Sequence, residues 1–317
     1  MRRLLPVMAA LFTLGGASMS MAQSVVTLAS AQNSAGSLPI YVAEMKGFFA
    51  AEGVKVETVD FKGGAPAVQA LASGSVAFCI CAGDHAVRLR SRGFPARIVA
   101  GLVEQHGYGL LALATSPVTD LASLKGRKLG ITSSGSLTDN TVRFSLQQVG
   151  VNPDRDLTLV SVGTGAPMKA ALDSHGVDAG MFTTPDVQSN LAVPGKYRVV
   201  KDYRDLAYPA LDLIALESWL QKNDKAARGF LRAIVKAQQL IQSDPAVARE
   251  GLKVMFPSFD DRLVELIVAD VPMHLSRRGE VARVGFDNMI EMLGASEPEL
   301  KTVPFADVVS TAYLPVL

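Results

Sequence analysis

The sequence predicts an α/β protein of two domains, and three observations carry that reading. β-rich runs alternate with helical periods through the first third of the chain. A second alternating set begins after "YGLLALATSP". The length of 317 residues exceeds the roughly 250 to 300 residues at which single cores stop growing.

Ahead of the first strand stands a leader. Arg2 and Arg3 precede an apolar stretch over residues 4–14, and the small-residue pattern Ser20-Met21-Ala22 places a cleavage after Ala22. Residues 1–22 therefore read as a secretory signal peptide. No cysteine stands at the cleavage point, so a lipid anchor is not indicated. No later run approaches the roughly 20 apolar residues of a membrane span. With Arg2 and Arg3 set aside, the 31 basic residues fall into near balance with the 30 acidic ones. No basic block suits nucleic acid.

The first set opens with the strand "VVTLAS" and a polar loop over residues 32–37. From Leu38 the positions Tyr41/Val42, Met45 and Phe48/Phe49 recur at helical spacing, with Gly53 as the stop. "VKVETVDF" returns as a strand. Residues 62–65 lead into a helix with Pro66 in its first turn and Gly74 at its end. "SVAFCIC" is the next strand; Asp84 caps the helix "HAVRLRSR", Gly93 closes it, and "ARIVAGLV" follows as a strand. Strands and helices alternating in this way predict a parallel sheet.

In the second set, "DLASLKGRKLGIT" reads as a helical turn, a glycine turn and a strand. "SSGSLTDNTVRFSLQQVG" is a glycine-serine loop and a helix, with Val142, Leu146 and Val149 on one side. Strand "LTLVSV", loop 163–165, helix "APMKAALDSHG", strand "DAGMF" and the turn Thr183-Thr184-Pro185 complete it. From Ser218 onward the chain is almost wholly helical. Phe230/Leu231, Ile234/Val235, Gln238 and Ile241 line one face of a long helix, and Trp219 reads as packing. No fixed-period repeat stands out.

Three chemistries compete for residues 62–84. A nucleotide loop of the Gly-x₄-Gly-Lys-Ser/Thr type fails because Lys62 precedes Gly63 and Gly64, and the dinucleotide fingerprint lacks its third glycine. A metal site fails because Cys79, Cys81, Asp84 and His85 lack the spacing of paired ligands. What survives is a glycine-rich helix start whose free N–H groups suit a small anion or polar group, against the plain reading of a helix start without ligand. Cys79 and Cys81 lie on one face of a strand, where i and i+2 side chains run parallel, so buried reduced thiols are expected. No Gly-x-Ser-x-Gly elbow is present, and His85, His106, His175 and His274 have no partner the sequence assigns. No catalytic residue and no cofactor are expected.

Glycine, serine and threonine cluster after the carboxyl ends of strands in both sets, over residues 33–37, 62–65, 132–136 and 163–166, where open α/β sheets bind ligands. In this arrangement the chain resembles the substrate-binding proteins of ABC importers for nitrate, taurine and aliphatic sulfonates, a family shared with thiamine-pyrimidine synthases. The resemblance rests on "LPIYVAEMKGFFAAEGVKVETVDFKGGAPAVQALASGSVAF", "DLASLKGRKLGIT", "GVDAGMFTTPD" and "GFLRAIVKAQQLIQSDP", in the family's order over most of the chain. It implies a periplasmic-binding-protein type II fold: two α/β domains joined by two crossing hinge strands, with the ligand cleft between them and closure about the hinge. Residues 23–107 with 212–317 would form one domain and 108–211 the other. A monomer in the periplasm is implied, partnered by a small-molecule ligand and an inner-membrane permease with its ATPase.

The candidate ligand residues are Ser34, Ser37, Lys62, Gly63, Gly64 and Ala65 on the first domain. Ser134, Ser136, Thr138, Gly165, Ala166 and Thr184 face them on the second. Helix starts and hydroxyls there lean to a sulfonate or carboxylate, and Tyr41, Tyr108 and Phe182 offer an apolar wall. Asp84, Asp139 and Asp212 favour an amine or heterocycle instead if they face the cleft; otherwise Asp84 and Asp139 are helix caps and Asp212 a hinge residue. Ala77 and Thr184 stand where the family often has aspartate and glutamate, so ligand chemistry does not transfer from any member. The alternative is a synthase-like enzyme or a binder of a pyrimidine or other heterocycle. The family's synthases carry a cysteine-rich run and donate an active-site histidine, whereas "FCICAGDH" offers two separated cysteines and His85. A transcription-regulator effector domain would need a DNA-reading helix-turn-helix where the leader stands.

Overall fold

A computed structural model describes residues 23–31, 33–61 and 63–316; the expected leader, residues 1–22, and the candidate Lys62 lie outside the described residues. In the first half of the chain β1 (Ser24–Ser30), α1 (Leu38–Met45), α2 (Phe48–Ala51), β2 (Val54–Asp60), α3 (Gly64–Ala72), β3 (Phe78–Cys81), α4 (Asp84–Ser91) and β4 (Ala96–Gln105) follow in order. The helix expected to run on from Leu38 is two helices. Gly47 stands between them at φ 68°, the left-handed region that glycine occupies without strain.

The second set comprises β5 (Tyr108–Leu113), β6 (Lys128–Ile131), α5 (Leu137–Gln148), β7 (Thr158–Ser161), α6 (Ala166–Asp173), β8 (Ala179–Thr183), α7 (Asp186–Leu191) and β9 (Tyr197–Asp202). The chain then returns through β10 (Ala207–Leu216) to α8 (Glu217–Lys222), α9 (Asp224–Ser243), α10 (Pro245–Met255), α11 (Asp261–His274), α12 (Arg283–Ser296) and α13 (Phe305–Val308).

Two five-stranded sheets result, in the orders β2-β1-β3-β10-β4 and β7-β6-β8-β5-β9. Each is mixed, not wholly parallel as the alternation alone predicts. β10 runs antiparallel to β3 and β4, and β5 antiparallel to β8 and β9. The cause is the double crossing: β4 leaves the first sheet for β5 through His106 and Gly107, and β9 sends the chain back into β10, which enters from the opposite end. These are the two hinge strands.

Apolar residues cover both faces of the first sheet. α1, α9 and α10 bury Leu38, Phe230, Ile234 and Leu252 on one side, with Phe230 stacked on Phe49 and tilted against Phe78. Trp219 meets Phe78 edge-on, a packing role. On the other side Cys79, Cys81, Ile98 and Tyr208 share one continuous core with Leu110, Leu129 and Val142 of the second set. α12 packs on both β10 and α5 and so spans the two domains. Among the described residues no helix is long and apolar enough to cross a membrane.

The expectation of reduced thiols is corrected. Cys79 and Cys81 are paired as a disulfide, and among the described residues no free cysteine remains. Their Cα atoms stand 5.6 Å apart. Both residues are fully buried.

Candidate functional site

The carboxyl ends of the strands in both sheets face each other, and the loops that follow them are in contact. Gly63 adopts φ 152° at the start of α3, and a Cβ there would stand 2.7 Å from Ser133 Oγ. A Cβ on Gly64 would run into His85 Nε2. Both positions thus require glycine for close approach. The Ala65 N–H at the α3 start donates to Ser136 Oγ at 3.3 Å, across the domain interface. Nearer the hinge, the Ala35 N–H and the Ser34 hydroxyl both donate to the Thr184 carbonyl, at 3.3 and 3.4 Å.

Between these contacts lies a cavity of about 20 Å³, bounded by Gly64, His85, Tyr108, Thr132 and Ser136 among others, with no acid or permanent cation among the described residues of its lining. His85 Nε2 is buried there without a hydrogen-bond partner among the described residues. Burial pushes the His85 imidazole below its ordinary pKa, so it is neutral at pH 7. On the outer side of His85 a groove of about 590 Å³ runs between the domains, lined by Arg88, Arg92, Arg143, Ser134 and Asn140.

One charged cluster ties the outer edge together. Arg88 on α4 donates to Asp84 Oδ2 at 2.9 Å, to Glu297 Oε1 at 2.7 Å, and across the interface to Asn140 Oδ1 at 2.8 Å and the Gly135 carbonyl at 3.3 Å. Asn140 in turn donates to Asp84 Oδ2 at 2.5 Å. Asp84 is therefore the anion of a buried ion pair within α4, bonded across the interface through Asn140, and not a cap; Gly83 occupies the cap position of α4. Asp139 does accept the Gly135 N–H, at 2.8 Å, and holds Arg143 on α5.

Asp212 sits in the middle of β10, fully buried, with both oxygens unpartnered among the described residues. It pairs in register with Cys81, so carboxyl and disulfide share one face of the sheet. Burial first, then Glu104 and Asp84, hold its pKa well above the ordinary carboxylate range. Glu104 on β4 is likewise raised, to about 7, by burial.

Of the sequence candidates, Gly63, Gly64, Ala65, Ser134, Ser136, Tyr108, Ser34 and Thr184 come together at the interface. Thr138 lies just beneath, fully buried, its hydroxyl 2.9 Å from that of Thr132. Ser37 and Tyr41 instead line a separate cavity on the first sheet. Phe182 is 1% exposed in a core with Leu111 and Met168, turned away from the cleft. Gly165 and Ala166 begin α6, where a Cβ on Gly165 would lie 3.9 Å from Asp186 and near no first-sheet atom. Sequence reasoning missed Arg88 and Asn140. The only available signal was Arg88 four residues after Asp84, the spacing of a helical ion pair.

Comparison with known proteins agrees with this architecture. The family model described as "NMT1/THI5 like" matches residues 34–248. A Bordetella bronchiseptica RB50 protein of solved structure is 28% identical with a TM-score of 0.81, the match covering 92% of this chain and 96% of that one. The periplasmic aliphatic sulphonate binding protein SsuA of Escherichia coli superposes with a TM-score of 0.67 at 20% identity, over 87% of this chain and 93% of its own. Among curated relatives, the 4-amino-5-hydroxymethyl-2-methylpyrimidine phosphate synthase THI11 of Saccharomyces cerevisiae is 26% identical over 67% of this chain, which spans 65% of that protein's length. The chain belongs to the NMT1/THI5-like family and has the fold of periplasmic binding proteins.

Proposed function

We propose that the chain is an exported solute-binding protein of an ABC-type importer. It captures a small organic molecule by closure of its two domains and delivers it to a membrane permease with its ATPase. The division at residues 23–107 with 212–317 against 108–211, periplasmic location after removal of residues 1–22, and a monomeric state belong to the same proposal. The observation that carries it is the cavity between the starts of α3 and α5, where one hydrogen bond, Ala65 N–H to Ser136 Oγ, already joins the domains. A ligand group placed there would bridge both helix starts at once. At about 20 Å³ the cavity holds little more than a water, so an organic solute enters only when the domains part.

A sulfonate or carboxylate suits this site. Helix starts present N–H groups to an anion, and Arg92 and Arg143 border the adjoining groove. Thermal-shift and calorimetric titration with alkylsulfonates, aromatic carboxylates, nitrate and pyrimidines tests the class. Recovery of the bound solute unchanged, by mass spectrometry, tests the absence of turnover; conversion to product defeats the binding-protein reading.

The second reading is a pyrimidine-synthase-like enzyme or a heterocycle binder. It is favoured by the unpartnered, neutral His85 Nε2 at the cavity, which would meet a heterocycle ring group, and by the names of the curated relatives. Hits confined to pyrimidines, lost in His85→Ala, would move the assignment to this reading.

A further inference from the structure

A second cavity, of about 280 Å³, lies wholly on the first sheet between α1 and the edge strand β2, and no residue of the second sheet lines it. Ile40, Phe49, Val56 and Ile80 form an apolar floor. The rim carries two charges among the described residues, Glu44 and Asp60, both negative. Neither carboxylate has an ion-pair partner among the described residues. Ser37, at the start of α1, lines the same cavity; it is 4% exposed and its hydroxyl has no hydrogen-bond partner among the described residues. The Tyr41 hydroxyl is held above its ordinary pKa by burial and then by Asp60, so it stays protonated as a donor.

We propose that this cavity binds a small organic cation, an ammonium group on a compact apolar body, independently of the interdomain cleft. The chemistry follows from the lining. An apolar floor with a few polar groups on its rim is the common composition of a small-molecule site. Two carboxylates with no ion-pair partner among the described residues repel an anion and attract an ammonium group, while the Ser37 oxygen, without a hydrogen-bond partner among the described residues, accepts one N–H from it. Because every wall belongs to one domain, opening of the cleft leaves the cavity intact. The inference goes beyond the proposed transport role and stands whether or not the cleft holds a solute.

The test titrates the purified chain at low salt with phenethylammonium and benzyltrimethylammonium, against 3-phenylpropionate as the anion of matched shape, by calorimetry and protein-observed NMR. Saturable binding of phenethylammonium is expected, with 3-phenylpropionate at least about tenfold weaker. Asp60→Asn with Glu44→Gln should weaken the cation by about tenfold, and Ser37→Ala by a few-fold for phenethylammonium, while benzyltrimethylammonium, which has no N–H, is indifferent to Ser37. Should the double variant fold poorly, Thr58→Arg on the exposed rim, which brings a cation to the mouth, should exclude both probes. Gly64→Val, which obstructs the cleft, should leave cation binding unchanged. Equal binding of the carboxylate, indifference to both rim variants, or loss of cation binding in Gly64→Val overturns the proposal. The last outcome would assign the cation to the cleft. An absence of cleft solutes alone would count against the transport reading and not against this one.

Discussion

The two edges of the domain interface are built from opposite materials. At the outer edge Arg88 joins Asp84 and Glu297 of its own domain to Asn140 and Gly135 of the other. At the hinge edge the contacts around His106 are neutral and aromatic. The Tyr108 N–H donates to His106 Nδ1 at 3.3 Å, which leaves Nε2–H to donate to Thr141 Oγ1 at 2.7 Å. The rings of Tyr108, Tyr203 and Tyr208 surround the imidazole at 5.8, 5.3 and 5.6 Å. Charged groups can exchange their partners for water, whereas an aromatic cluster that parts leaves apolar surface exposed. The difference teaches that, if the domains open to admit a ligand, the outer edge separates and the hinge edge pivots.

The largest expected effect breaks the outer edge. Arg88→Met leaves Asp84, which is fully buried, without its cation, and losing one partner of a buried pair costs about 3–5 kcal/mol. Thermal denaturation should register that loss, and small-angle scattering should show a larger radius of gyration than the parent. A variant as compact as the parent would deny the edge its role in closure. His106→Ala at the other edge removes a buried ring and two hydrogen bonds, a loss of about 2–4 kcal/mol. Here the denaturation midpoint should fall without the expansion.

Between the two edges, Gly64→Val drives side-chain atoms into His85 and should weaken capture of the screened solute by about a hundredfold, or about 2.7 kcal/mol. Normal affinity in calorimetry would move the site elsewhere.

The smallest effects depend on pH. His106 is pushed down to about 3 by burial. Its folded pKa lies below the unfolded one, so its contribution is present at neutral pH and is lost as pH falls from about 6.5 toward 3. Glu104 and Asp212 are shifted the other way. Glu104 is raised to about 7 and Asp212 well above its usual range, both chiefly by burial. Their contribution is complete below the unfolded carboxylate range and is lost as pH rises, for Glu104 through about 7. Asp212→Asn should therefore gain on the parent as pH goes from 5 to 8, reaching about 1–3 kcal/mol at the upper end. A constant difference across that range in chemical denaturation would mean that the Asp212 carboxyl is already satisfied.

Much of the frame was legible in the chain because it is local. Alternating periods announced both sheets, and paired glycines at 63 and 64 announced a helix start with free N–H groups before anything showed what packs against it. The site was legible only in part. Ser37 and Tyr41 follow a strand end just as Ser34 does, yet they open onto another cavity, because a few residues of loop and helix reverse the face a side chain meets. Phe182 alternates along β8 onto the core side of the second sheet. Arg88 and Asn140, 52 positions apart, form a bond that no local pattern announces.

The sequence by itself determined the element types, the loop chemistry at the strand ends and the glycines at tight turns. Each follows from backbone preference and apolar period over a few neighbouring residues. Only the tertiary structure decided that β10 lies between β3 and β4, that Asn140 bonds both Asp84 and Arg88 across the interface, and that Asp212 is buried with no partner among the described residues. Strand order, burial and the neighbours of a charge depend on which distant segments pack together, and local preference carries no information about that packing.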